Sequence, residues 1–173
     1  MSVAVKTAVF TAIETIAIAG WRALLTAGRV IAGAFLAGGL LLEHIVSYNY
    51  RNGRSALKVT GLPFAALAGI AGFEAIVWAA WFALTFVNPI LAAVVLYVGL
   101  LVGHAPELNV MRGFSPFYRF FNRLKRSFDI TAIETGTGIT WLALAQVGYS
   151  PIAIIILFVG LYVEHRISGR KVL

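Results

Sequence analysis

A chain of 173 residues that is 60% hydrophobic and only 12% charged lies far from the soluble average of about 25% charged residues, and in water it would expose most of its apolar side chains, so the bilayer is its natural solvent. The absence of cysteine excludes disulfides, thiolate metal ligands, iron–sulfur clusters and cysteine nucleophiles. The formal charge of +7 is scattered over ends and linkers rather than gathered in a soluble basic domain, which speaks against nucleic acid as a partner.

The placement of that charge predicts a topology. Twelve of the fourteen Lys and Arg fall in the N-terminus (Lys6), two linkers and the C-terminal tail, leaving Arg22 and Arg29 near a turn. By the positive-inside rule both termini and both linkers face the cytoplasm, in contact with anionic lipids, and three short turns face outward.

In chain order, the first helix is expected over 5–27 and the second over 29–50, joined near Gly28. The first 28 residues carry Glu14 and belong to a repeat, so they read as a membrane helix rather than a cleaved signal. A polar linker, Arg51 to Ser55 with Lys58, leads to a third helix over 62–87, with Pro63 in its first turn where no N–H is needed. Asn88-Pro89 makes a turn and a new helix start, because Asn caps and Pro fits the first helical position. The fourth helix is expected over 89–105, stopped by Pro106. Residues 106–128 read as a basic linker containing a short amphipathic helix: Phe117, Phe120, Phe121 and Leu124 share one face, and Arg119, Arg123 and Arg126 another. That segment suits the headgroup layer or the protein's own base. A fifth helix over 129–147, a turn at Gly148 to Pro151 and a sixth helix over 151–167 precede the basic tail with Arg166, Arg170 and Lys171.

One stretch occurs three times. Glu14 is followed by Trp21, Gly39 and His44; Glu74 by Trp81, Gly99 and His104; Glu134 by Trp141, Gly160 and His165. Glu to Trp is seven residues and Gly to His five in every copy, while Glu to His is 30, 30 and 31. Such agreement over several landmarks marks an internal repeat. The fold expected is an all-α integral membrane protein: six transmembrane helices as three repeated hairpins (1–50, 62–105 and 129–168) in a pseudo-threefold bundle, with the linker 106–128 between the last two.

Measured from the turns, each Glu lies ~21 Å and each His ~24 Å down its helix, at ~1.5 Å per residue. Glu14, His44, Glu74, His104, Glu134 and His165 should therefore share one height, in the cytoplasmic third of the membrane. Seven residues is nearly two turns, so Trp21, Trp81 and Trp141 share a face with the glutamates and form a layer about 10 Å nearer the outside. Gly39, Gly99 and Gly160 leave room for Trp or for a close helix contact.

An ionisable side chain in the membrane costs about 3 kcal/mol or more unless paired or hydrated. Two readings offset that cost. In one the copies converge, and carboxylates with imidazoles bind or pass a cation: zinc, iron or manganese by ligand chemistry, or a proton, with the tryptophans as a cap. In the other each Glu binds the His of its own hairpin as structural glue. The function expected is cation binding or transport. The alternatives are a membrane metalloenzyme acting on a lipid-like substrate, or a non-catalytic subunit docking partner membrane subunits or further copies of itself. Glu43 and Glu164 step about 100° away from their His and read as headgroup-level charges. Glu107 is a weaker candidate for the same layer, Trp78 reads as lipid-facing, and Arg22 and Arg29 as snorkelling to the outer interface. No Walker loop, Gly-x-Ser-x-Gly, His-Glu-x-x-His or dinucleotide fingerprint occurs.

Overall fold

The computed structural model describes residues 2–53 and 59–172, with side chains described as far as Gly169. Among these the chain is all-helical, with six helices: α1 (Val3–Thr26), α2 (Ala32–Arg51), α3 (Leu62–Thr85), α4 (Pro89–Met111), α5 (Phe120–Gln146) and α6 (Ser150–Val172). The part of the first polar linker with Arg54, Ser55 and Lys58, and the side chains of Arg170 and Lys171, lie outside the described residues.

The helix starts follow local chemistry. Ser2 caps α1 through a bond from the Val5 N–H to its hydroxyl. Asn88 caps α4 by accepting from the Ile90 and Leu91 N–H groups at 3.1 and 3.0 Å. Gly28 and Gly148 turn the chain with φ of 67° and 90°, a region where a Cβ is strained.

Two bounds differ from the sequence reading. The fourth helix does not stop at Pro106 but runs on to Met111. Proline removes one backbone bond there, yet Ala105, Leu108, Asn109 and Val110 are all buried beyond it, so packing holds the last turn in helical form. The amphipathic segment is no separate helix: from Phe120 it forms the first turns of α5, which continues unbroken into the apolar part. Asn109 fixes this junction. Its amide donates to the carbonyls of Pro116 and Tyr118, both at 2.7 Å, and its carbonyl accepts from Arg123 Nε at 2.7 Å.

Each helix packs on the next in sequence, and α6 returns to pack on α1, so the six close into a ring whose loosest seam is α6 against α1. Within a hairpin the approach is very close. A Cβ at Gly99 would stand 2.6 Å from the Val77 methyls, and Gly39 and Gly160 press in the same way on Ala17 and Thr137. The glycines therefore serve helix contact rather than housing tryptophan.

The even helices carry an inward ladder with a step of four residues, which keeps it on one face. It reads Ala32, Leu36, Leu40 and His44 on α2, Ala92, Leu96, Leu100 and His104 on α4, and Ala153, Leu157, Leu161 and His165 on α6. Every Ala and Leu in it is at most 3% exposed. Outside, the order inverts: Ile16, Ile76, Val94, Val98, Ile155 and Val159 are exposed. Apolar outside and charged inside is the arrangement a bilayer selects. Four helices, α1, α3, α4 and α6, are long and apolar enough to cross a membrane. The other two carry more charge: Glu43, His44 and Arg51 on α2, and Arg123 to Asp129 with Glu134 on α5.

Candidate functional site

All six glutamates and all three histidines of the chain are buried. They collect at the end of the bundle opposite the short turns, one helical turn beyond the last leucine of each ladder.

The ion pairs of the three repeat glutamates run between copies, not within them. His44 Nε2 lies 3.3 Å from Glu74 Oε2, His104 Nε2 lies 2.8 Å from Glu134 Oε2, and His165 Nε2 lies 3.3 Å from Glu14 Oε2. Each histidine thus reaches the glutamate of the following copy, and the last returns to the first. Glu14, Glu74 and Glu134 pair with the histidine of a neighbouring hairpin rather than that of their own.

The second ring nitrogen follows a related rule. His165 Nδ1 and His104 Nδ1 are each hydrogen-bonded, at 2.9 Å, to the hydroxyls of Thr11 and Thr131. These threonines stand three residues before Glu14 and Glu134, on the same helix face. The corresponding residue before Glu74 is Ala71, which offers nothing, and there Glu43 Oε2 lies 2.7 Å from His44 Nδ1 instead.

Three residues given less weight in the sequence reading join the layer. Glu43 and Glu164 are not headgroup charges: they are 3% and 4% exposed, and their carboxylates lie 3.5 and 3.6 Å from His165 Nε2. A 100° step from an inward residue points to lipid on an isolated helix, but in a closed ring it points sideways into the neighbouring hairpin. Glu107 places a carboxylate oxygen beside a carboxylate oxygen of Glu74 and a ring nitrogen of His44, so that all three ligand atoms lie within 4.8 Å of one another. In the repeat register Glu107 occupies the position of Ser47 and Ser168. The Ser47 hydroxyl is itself buried without a hydrogen-bond partner, and both His44 ring nitrogens have carboxylates beside them but no aligned hydrogen bond. A His with two carboxylates is a ligand set suited to zinc, iron or manganese, and unaligned buried donors and acceptors at its edge are groups that a bound ion or water would satisfy. Glu14 lies within electrostatic range of Glu134, Glu43, Glu164 and Glu74, so the layer is one electrostatic unit.

Toward the turns the layer is sealed. Trp21, Trp81 and Trp141 are at most 2% exposed and share one apolar core with the leucine ladders. Trp21 meets Phe82 edge-on at 5.5 Å, and the Arg22 guanidinium sits 5.9 Å from the Trp141 ring, so Arg22 is half-buried over an aromatic face rather than extended to the interface. Arg29 is exposed. Trp78 does not face lipid: it is fully buried, packs on Trp81 and fills the space over Gly138, whose Cβ would come within 2.9 Å of its ring. Its spacing of four from Glu74 puts it on the inward face, a signal present in the sequence.

At the opposite end a cavity of about 600 Å³ reaches the layer at His165, between the ends of α1, α2, α4 and α6. Lys6, Arg51, Arg112 and Arg166 stand around it. No protein-family model matches the chain, and no curated protein or solved structure is significantly similar to it.

Proposed function

We propose that this is a multi-pass membrane protein that binds a cation, a divalent transition metal such as zinc, iron or manganese or else protons, in its buried Glu/His layer. In this reading all six helices span, the three copies surround a pseudo-threefold axis, and the basic end faces the cytoplasm. The observation that carries it is the convergence of every glutamate and histidine into one layer linked across copies. Six carboxylates against three imidazoles leave an excess of acid even with every histidine protonated. Uncompensated negative charge in a low-dielectric site is strongly unfavourable, and a bound cation or protons would offset it. Glu14, His44, Glu74, His104, Glu134 and His165 supply the ligands and the groups orienting them, joined by Glu43, Glu107 and Glu164. Trp21, Trp81 and Trp141 form the cap.

Transport across the bilayer would require the leucine ladders and the tryptophan cap to part, since they are fully packed here. The cavity at His165 favours a second reading, a metalloenzyme on a lipid-like substrate, because it gives the layer an opening beside apolar walls. A metal with a free coordination position would then polarise the substrate or activate water. Metal analysis of the protein purified in detergent tests binding: stoichiometric metal is expected, falling by more than half in the His44→Gln, His104→Gln double variant, with circular dichroism in detergent showing that the helices are kept. Metal-free protein, or unchanged content in that folded double variant, would overturn the metal form of the reading. Uptake by protein-loaded liposomes then separates transport from chemistry.

A further inference from the structure

The start of α5 carries cations where a helix favours the opposite charge. Arg119 stands at its N-cap and Arg123 closes its first turn, and neither an acidic residue nor a capping side chain offsets them there. Arg119 is also the only residue other than glycine with a positive φ among the described residues, at 47°, a conformation unfavourable for a residue with a Cβ.

Beside this helix start lies a hollow of about 500 Å³, a size common among small-molecule sites. Arg112, Arg119, Arg123, Lys125 and Arg126 line it together with Asn122, and no acidic side chain does among the described residues. Arg123 is its fixed point. It is only 7% exposed, and its Nε donates to the Asn109 side-chain carbonyl at 2.7 Å. No carboxylate pairs with it among the described residues. Arg112, Arg126 and Arg119 instead stand close enough to repel its charge. A buried cation without a counter-ion is costly, and an anion in the hollow offsets that cost. Held at Nε, the guanidinium presents its terminal nitrogens as a fork that matches two oxygens of a phosphate. A phosphate monoester carries about −1.5 to −2 charges near pH 7 and suits such a ring of cations better than a singly charged diester. The neighbouring Phe117 and Phe121 are strongly exposed, aromatic side chains of the kind that settle at the headgroup layer.

We propose that the hollow at the start of α5 binds a phosphate monoester. Its phosphate rests on Arg123, ringed by Arg112, Arg119, Lys125 and Arg126, and it belongs to a lipid headgroup or to a soluble phosphate compound. The site shares no side chain with the Glu/His layer and holds whether or not that layer carries metal.

The test is ligand titration of the full-length protein in detergent, read by native mass spectrometry. Dioctanoyl phosphatidic acid, a monoester, is set against dioctanoyl phosphatidylglycerol, a diester, with circular dichroism to show that each variant keeps its helices. The parent should prefer the monoester by roughly fivefold or more, from the added charge beside several cations. Arg119→Gln with Lys125→Gln, both exposed in the parent, should remove that preference. Arg123→Lys keeps the charge but loses the fork, and should weaken it; the exposed double variant decides alone if Arg123→Lys folds poorly. Lys6→Gln with Arg166→Gln, at the separate cavity beside His165, should leave it intact. Competition by glycerol phosphate names the source: displacement at millimolar concentration identifies a soluble compound, and none identifies a lipid headgroup. Equal affinity for the two lipids, or no binding of any of these probes, would overturn the proposal. So would a preference that survives loss of Arg119 and Lys125 or is untouched in a folded Arg123→Lys. An equal loss in the Lys6 and Arg166 variant would show general attraction to a basic surface and overturn it too.

Discussion

His104 shows most clearly what one side chain contributes. With its Nε2 facing Glu134 and its Nδ1 facing Thr131, a neutral ring donates to the carboxylate and accepts from the hydroxyl; a protonated ring donates to both. Thr131→Val keeps the volume and removes the hydroxyl. It should lower stability by about 1 kcal/mol and free the ring to turn, seen as a shifted imidazole resonance in NMR. Glu107→Ser makes the second copy match the other two at that position. If His44, Glu74 and Glu107 form the main metal site, that variant should lose most bound metal while folding normally, and retained metal would place the ion elsewhere in the layer. Trp78 and Gly138 form a complementary pair, large against absent. Trp78→Ala should cost about 3–5 kcal/mol, measurable as a fall in the denaturation midpoint.

At the scale of helices, the sequence carried the spacing of Glu, Trp, Gly and His, and with it the height of the polar layer. It carried the inward ladder as well, since Leu36, Leu40 and His44 repeat at Leu96, Leu100 and His104, but in a helix apolar on all sides a stripe of leucine has no polar background to stand against. The direction of pairing was not legible. Equal depth is satisfied as well by a histidine's own glutamate as by the next copy's, and only the closed ring decides. The continuation through Pro106 was hidden for a similar reason: the side chain of Asn109, three residues on, supplies bonds that no local rule anticipates. Hairpin closure has its own test. Gly99→Val would drive a branched side chain into Val77, already 2.6 Å from the Cβ position, and overpacking of that kind costs about 1–3 kcal/mol. Thermal denaturation in detergent should show it. Gly69→Val, where a Cβ meets nothing within 4 Å, should be far milder.

The whole molecule is apolar at its rim and through the core toward the short turns, and its acid excess is confined to one end. A cation that binds this folded arrangement and not the unfolded chain stabilises it by about 2.7 kcal/mol at a hundredfold excess over its dissociation constant. Zinc or manganese should therefore raise the melting temperature of the parent and leave a Glu74→Gln, His104→Ala double variant unmoved.

The handing of each imidazole to the next copy, with the third returned to the first, has a consequence for assembly. One hairpin offers a donor edge and an acceptor edge that cannot meet on the same molecule, and a head-to-tail contact of that sort closes by rotation. The first copy holds every part such a contact uses: Thr11, Glu14, Glu43 and His44. Residues 1–53 expressed alone should therefore gather into a cross-linkable homotrimer, and Glu14→Gln protomers should stay apart.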